Sequence, residues 1–139
     1  MPQPSVHDNF VYSYSVNCQR QRVVLHTAFG DREPREFIDV VFHDVVAHHF
    51  QHVLPNNILF DIEEVEVGAL IRDNASVFAD SWRYAWPAVE YRGDLDALVE
   101  RLKAGSVQAY SINSSYGMSG WVLAGKCEYR SRDTAATGE

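Results

Sequence analysis

The sequence predicts an α+β fold, with an antiparallel β-sheet of about six to eight strands, curved or barrel-like, covered by one to three short helices. The first half of the chain alternates apolar and polar residues, which is the period of half-buried strands. The middle has the spacing of amphipathic helices, and the last third returns to two β-prone runs. Strands followed by helices and a final hairpin are typical of α+β proteins rather than of alternating β–α units.

The first two predicted strands show the clearest alternation. In residues 10–17, Phe10, Tyr12 and Tyr14 share one face, and residues 22–29 alternate in the same way after a polar connection. Each run therefore predicts a strand with one face in the core.

The next β-prone segments are residues 35–50 and 58–65, which flank a loop containing a proline and two asparagines. The apolar parity of the first segment changes after Asp44. A parity change within a strand predicts a β-bulge or a tight turn at this residue.

Helical spacing begins after these strands. Residues 67–86 have apolar positions that fit a helix but are interrupted near Asn74, and Pro87 cannot continue a helix. This segment therefore predicts one or two short helices that end at Pro87.

Residues 94–104 predict the clearest helix of the chain. Asp94 is a favourable N-cap because its carboxylate can accept a hydrogen bond from a first-turn N–H. Leu98 and Leu102 belong to one apolar stripe, and Gly105 follows as the expected C′ residue.

The last third predicts a β-hairpin. Residues 107–112 are β-branched and aromatic, residues 113–119 have turn chemistry, and residues 121–129 return as an apolar strand. Gly117 and Gly120 can adopt the positive φ angles that such a turn requires.

The length and charge of the chain limit its organisation and its partners. A chain of 139 residues fits one globular domain, and we expect flexible ends at residues 1–8 and 131–139. The formal net charge of −7 argues against binding nucleic acid through its phosphates, which requires a basic surface. The same charge is compatible with a basic protein partner, and the sequence is also compatible with a homo-oligomer.

The cysteines and the apolar runs indicate the compartment. Cys18 and Cys127 are not in a C-x-x-C pair, and we expect both to be reduced thiols. No secretory signal is visible, and no run approaches the length of about 18 apolar residues that a transmembrane helix needs. These features predict a cytoplasmic protein that does not enter the membrane.

A histidine cluster is the most conspicuous candidate metal site: His43, His48, His49 and His52, with Asp44 beside them. Zinc needs three or four converging donors. His48 and His52 would converge on a helix, but the segment is β-prone, and His48 and His49 would point to opposite faces of a strand. We therefore favour solvated histidines, with a metal-binding protein or metal-dependent hydrolase as the alternative.

Ser114, Ser115 and Tyr116 in the predicted turn are candidate residues of a binding loop. The nucleophile elbow G-x-S-x-G is followed by a helix. Here Ser119 is followed at once by Gly120 and then by a predicted strand, so the pattern predicts no nucleophilic serine. A small-ligand pocket beneath this turn is the second alternative.

An acidic run occupies the predicted strand 58–65 and the residue just beyond it: Asp61, Glu63, Glu64 and Glu66. A solvated strand face is the simplest interpretation, and an acidic surface for a basic protein partner is the next. Trp82 and Trp86 would share one helical face and would add aromatic contacts to such a surface if exposed.

Four segments that cover most of the chain resemble a loose group of small, largely uncharacterised bacterial proteins: HDNF at 7–10, FIDVVF at 37–42, NNILFDIEEV at 56–65 and SSYGMSGWVLA at 114–124. Some proteins of this general character are similar to immunity proteins, which neutralise toxins made by the same or neighbouring cells. This resemblance carries no catalytic motif and implies a role in binding a partner.

The sequence therefore predicts binding rather than catalysis. Our first interpretation is a non-enzymatic protein that binds another macromolecule, such as a basic toxin, through its acidic and aromatic surface. We predict no cofactor, because the chain has no glycine-rich phosphate loop, Walker pattern or G-x-G-x-x-G motif.

Overall fold

The computed structural model describes residues 5–30, 35–81 and 94–136, with residues 79–81 described by their backbone only. The described residues form eight strands and three helices. The strands are β1 (Phe10–Asn17), β2 (Arg22–Phe29), β3 (Glu36–His43), β4 (Ala47–Gln51), β5 (Asn57–Val65), β6 (Gln108–Tyr116), β7 (Ser119–Ala124) and β8 (Lys126–Arg132). The helices are α1 (Val67–Asp73), α2 (Ala75–Ser81) and α3 (Leu95–Ala104). None of these described helices is long and apolar enough to cross a membrane.

All eight strands belong to one sheet in the order β4-β7-β6-β5-β1-β2-β3-β8. Every neighbouring pair is antiparallel, which confirms the predicted α+β class. Strands β1 and β2 have the predicted bounds, and the alternation of β2 places Val23 and Leu25 in the core. The predicted core face of β1 is corrected, because β1 buries Val11 of the opposite face and Tyr14 is 40% exposed beyond a register shift between Val11 and Ser13.

The end strands of the sheet continue from strands in its interior. Strand β3 leads into β4 through a break at Asp44, which has a φ of 54° at the position of the predicted parity change. Strand β7 leads into β8 through Gly125, whose N–H donates to the carbonyl of His43 at 2.8 Å. The N–H of Val46 donates to the carbonyl of Leu123, also at 2.8 Å. The two bent segments therefore lie side by side, and the sheet curves without closing into a barrel.

Two apolar clusters lie on opposite faces of the sheet. Val122 belongs to the first and its neighbour Leu123 to the second, as the alternation of a strand requires. The first cluster includes side chains from both ends of the sheet: Val11, Val23, Leu25, Val40, Phe42, Leu59, Ile112 and Met118. The second lies between the sheet and the helices: Ala47, Leu70, Ile71, Phe78, Leu98, Val99, Leu102, Ala109, Trp121 and Leu123.

Side chains cap two of the three described helices. Asp94 accepts a hydrogen bond from the N–H of Ala97 at 3.1 Å, which confirms it as the N-cap of α3. The predicted position of Gly105 is corrected, because Gly105 is the C-cap with a φ of −85° and Ser106 has the positive φ of 60°. Glu66 caps α1 by accepting from the N–H of Gly68.

The predicted hairpin is confirmed, but its turn is shorter than expected. Strand β6 continues through Ser114, Ser115 and Tyr116, because Ser114 and Tyr116 pair with Leu59 and Ile58 of β5, and the turn contains only Gly117 and Met118. The returning strand is divided at Gly125 into β7 and β8.

A buried asparagine holds this tight turn in place. Asn57 Oδ1 accepts from the N–H groups of Leu54 and Met118, at 2.8 and 2.9 Å. A Cβ on Gly117 would come within 2.5 Å of the same oxygen, and the φ of Gly117 is +81°. Glycine is therefore required at this position.

The described parts of the expected flexible ends make ordered contacts. Val6 is buried in the first cluster, and the N–H of Asp8 donates to the carbonyl of Leu59 at 3.0 Å. The N–H of Ala136 donates to the hydroxyl of Tyr12 at 2.8 Å. Pro87, the expected end of the second helical segment, lies outside the described residues.

Candidate functional site

Three rows of side chains cross the face of strands β4, β7, β6 and β5 that the helices cover. The first row is apolar: Ala47, Leu123, Ala109 and Val65. The second row is mixed: His49, Trp121, Ser111 and Glu63. The third row lies two residues further along each strand and is polar: Gln51, Ser119, Asn113 and Asp61. The face therefore changes from apolar to polar along the strand direction.

A cleft of about 640 Å³ opens where this change occurs, between the sheet and the first two helices. Helix residues on its wall surround the break between α1 and α2: Ala69, Leu70, Asp73, Asn74, Ser76 and Val77. The volume lies within the range of about 300–1,000 Å³ that is typical of small-molecule sites. We call this space the cleft.

An aromatic stack supports one wall of the cleft. The imidazole ring of His49 lies over the indole of Trp121, with ring centroids 5.8 Å apart and planes 20° apart. Phe78 of α2 stacks on the same indole at 5.4 Å and 19°. Trp121 and Phe78 are buried, at 3% and 0% exposure, whereas His49 is half-buried, so His49 is the ring of the stack nearest to solvent. The stack gives the cleft a rigid, partly apolar side.

A chain of hydrogen bonds starts on the floor of the cleft, which is the surface formed by the strands. Ser111 donates from its hydroxyl to Asn113 Oδ1 at 2.9 Å, and Asn113 Nδ2 donates to Asp61 Oδ1 at 2.7 Å. These side chains are half-buried, so the bonds fix their orientation. Glu63 lies beside this chain and is exposed to the cleft.

The predicted acidic run does not form one surface. Asp61 and Glu63 lie on the helix-covered face of β5, whereas Glu64 is paired with Tyr110 and lies on the other face. The carboxylate of Glu66 caps α1 and lies 3.9 Å from Lys103 Nζ.

Glu63, Glu64 and Glu66 are exposed, and Asp61 is half-buried. The structure therefore separates the four acidic residues, and Glu63 is the one that lines the cleft. The predicted partners Trp82 and Trp86 lie outside the described residues.

The four predicted histidines are not brought together. His43 Nε2 bonds Glu128 Oε1 at 2.5 Å, and His49 stacks on Trp121. His48 faces Phe50, with ring centroids 5.0 Å apart, and His52 is exposed with a φ of 60°. Within the described ranges, no three His, Cys, Asp or Glu side chains are placed to share a metal ion. The geometry gives the metal alternative no support.

The predicted binding-loop residues lie in β6 rather than in a loop. Tyr116 pairs with Ile58 and is 55% exposed, and Ser114 donates to the carbonyl of Gly117 at 3.1 Å. Ser115 is exposed in the same strand. These residues do not appear among the described residues that line the cleft, although Asn113 and Ser119 of the same predicted turn do.

A second cavity lies beside the β1–β2 turn and the break between β3 and β4. It encloses about 230 Å³ and is lined by Val16, Cys18, Val46 and His48 among others. Burial, followed by the charge of His49, lowers the pKa of His48. This volume is below the usual range for a small-molecule site, so the cleft is the stronger candidate.

The first apolar cluster contains a thiol and two phenols. Burial is the main cause that raises the pKa of Cys127 and of Tyr110 to about 12. Burial also raises the pKa of Tyr129 above its usual value. These groups are therefore neutral near pH 7, and Cys127 is a poor nucleophile. Cys18 is exposed, and both cysteines are free.

Several cleft residues were absent from the sequence prediction, among them Gln51, Asp73 and Ser111. Asn113 and Ser119 belong to the turn beneath which a pocket was predicted, but they were not named as candidates. A signal for some of them is present in the strands. The series Ala109, Ser111 and Asn113 changes from apolar to polar on the helix-covered face of β6. Strand β5 shows the same change on its own helix-covered face. Neither series alone shows that β5 and β6 are neighbours in the sheet.

Comparison with known proteins adds no relative to this description. No protein-family model matches the chain, and no curated protein or solved structure matches it.

Proposed function

We propose that this protein binds a small ligand in the cleft between the sheet and helices α1 and α2. The supporting observation is the volume of about 640 Å³ in which polar side chains converge beside an aromatic stack. Concave sites that combine apolar walls with a few oriented polar groups are the usual form of ligand pockets. The Ser111–Asn113–Asp61 chain supplies such oriented groups.

A screen of small molecules followed by amide chemical shifts tests this proposal. Ser111→Leu places an apolar side chain on the cleft floor, while Ser15→Leu makes the same change at an exposed position on β1. We expect bound molecules to shift the amides of Ser111, Asn113 and Gly120, and we expect Ser111→Leu to abolish those shifts. Binding that persists in Ser111→Leu but is lost in Ser15→Leu would contradict a site in the cleft.

A second candidate is a cytoplasmic, immunity-type protein that binds a basic protein such as a toxin. It is favoured by the net charge of −7 and by the exposure of Glu63, Glu64 and Glu66 within four residues. Complementary charge steers association and makes it sensitive to salt.

Charge reversal separates the two candidates. We expect Glu64→Lys, outside the cleft, to prevent capture of a basic partner that the wild-type protein retains at low salt. Glu100→Lys on α3 is the matched control, because Glu100 is also exposed but lies away from β5. A partner retained equally by wild type and by Glu64→Lys would rule out Glu64 as part of its binding surface.

A further inference from the structure

We propose that the ligand of the cleft is a small organic cation, with an amino or guanidino head and a short apolar body. This inference rests on the proposed function, since it names the chemistry of the ligand that the cleft would bind. Three properties of the described lining residues support it.

The charge of the lining favours a cation. Glu63 contributes a carboxylate from the sheet and Asp73 contributes another from the last residue of α1. His49 is the basic side chain among the described lining residues, which include no lysine or arginine. The nearest arginine on α1, Arg72, lies 3.3 Å from Asp96 instead. Carboxylates on two walls of a concave site attract a positive charge more strongly than the same groups on a flat surface.

The direction of the hydrogen bonds favours a donor. Ser111 donates its hydroxyl proton to Asn113, so the hydroxyl oxygen of Ser111 is left as an acceptor in the cleft, and Asn113 Nδ2 donates to Asp61, which lies outside the cleft lining. Glu63 and Asp73 can only accept hydrogen bonds when ionised. Ammonium and guanidinium groups are donors without acceptors, so they match this floor, whereas a carboxylate or phosphate does not.

The walls favour a ligand with an apolar part. Leu70, Val77 and Trp121 provide apolar surface within the cleft, and Phe78 stacks on Trp121 outside the lining. Leu70 and Val77 can contact an aliphatic body while the charged head lies against Glu63 or Asp73. This cation can be a free small amine or the side chain of a lysine or arginine on another protein.

A set of size-matched probes tests the charge preference on the full chain labelled with ¹⁵N. Butylamine is a cation, butanol is neutral and butyrate is an anion of similar size, and agmatine is a larger dication that adds a guanidinium head. We expect only the two cations to shift the amides of Ser111, Asn113 and Gly120. A short peptide with one central arginine and blocked ends forms a further arm, and tighter binding of the peptide than of agmatine would identify a protein side chain as the source.

Two neutral variants locate the charges. Glu63→Gln and Asp73→Asn should each weaken agmatine binding about tenfold, as expected for loss of a charge-assisted hydrogen bond. Glu100→Gln is the control, because Glu100 is exposed on α3 outside the cleft. Binding of butanol or butyrate in the cleft as tight as that of agmatine would overturn the charge assignment while leaving a ligand site. A cleft that responds to none of the probes would overturn both proposals.

Discussion

The two halves of the sheet cover their outer faces in different ways. On β4, β7, β6 and β5, helices bury an apolar surface that includes Leu123 and Ala109, both fully inaccessible. On β1, β2, β3 and β8, the outer face is closed by charged groups that bond one another. We call these regions the helix-covered half and the open half.

Two carboxylates organise the open half. Asp39 accepts from His26 at 2.8 Å and from Arg132 at 3.0 Å, although its side chain is only 10% exposed. Glu128 bonds His43 at 2.5 Å and Arg130 at 2.6 Å.

The comparison shows that one sheet can be stabilised by burial on one half and by ion pairs on the other. Burial depends little on pH, whereas ion pairs depend on the protonation of their members. The cleft lies at the border of the helix-covered half, where the apolar row ends and the helices no longer cover the strands.

The largest effect is expected at Gly120, where β7 approaches the edge strand β4. A Cβ at this position would lie 1.9 Å from the carbonyl oxygen of His49, and the φ of Gly120 is +154°. Gly120→Ala should therefore separate β4 from β7 and lower the free energy of unfolding by more than about 4 kcal/mol. Urea titration measures this loss, and hydrogen exchange of the β4 amides locates it.

Gly105→Ala is the control for this substitution. A Cβ on Gly105 would lie 3.6 Å from its nearest neighbour, and its φ of −85° suits any residue. We expect a change within about 0.5 kcal/mol. Equal losses in the two variants would show that the close approach of β4 to β7 does not determine the stability of this edge.

The next effect tests burial in the helix-covered half. Leu98 is 1% exposed in the cluster beneath the helices, so Leu98→Ala should cost about 2–5 kcal/mol through lost burial and a cavity. Leu95→Ala, on the same helix but half-buried, should cost less. Val24→Ala on the outer face of the open half should cost less than about 1.5 kcal/mol. Guanidinium unfolding of the three variants ranks them, and similar values would remove the distinction between the halves.

The sequence predicted the elements better than it predicted the site, and the reason is physical. The bounds of β1 and β2, the break at Asp44 and the cap at Asp94 depend on local pattern and backbone chemistry. The cleft depends on which strands become neighbours. Its floor joins His49 to Glu63 through two intervening strands, although β6 and β7 follow long after both residues in the chain.

Local pattern was also a poor guide to the length of the hairpin turn. Asn113 and the residues that follow it have turn chemistry, but pairing with β5 extends β6 to Tyr116. The acidic run has a related limitation, because strand alternation places Glu64 on the face opposite Asp61 and Glu63, while Glu66 caps α1. Side-chain type alone does not contain this information.

A smaller effect is expected from the buried carboxylate of the open half. Asp39→Asn keeps the shape of the side chain but removes the charge that bonds His26 and Arg132. We expect a loss of about 1–3 kcal/mol, the usual cost of disrupting a hydrogen bond with a charged partner. Asp96→Asn is the matched control in the helix-covered half. Its pair with Arg72 is 82% and 58% exposed, so its loss should stay below about 1 kcal/mol. If Asp96→Asn lost more stability than Asp39→Asn in thermal unfolding, ion pairs would stabilise the helix-covered half more than the open half.

The last effect is a change in the pH dependence of stability. Hydrogen bonds from Arg130 and then from His43 lower the pKa of Glu128 from 4.5 to about 2. Because the folded pKa is below the unfolded one, this contribution is present above about pH 4.5 and is lost as the pH falls to about 2. Glu128→Gln should therefore flatten the stability curve in this acid window. Glu100→Gln, at an exposed position on α3, should retain the slope of the wild type. Chemical denaturation at a series of pH values measures both curves, and an unchanged slope in Glu128→Gln would mean that the open half does not owe its acid sensitivity to this carboxylate.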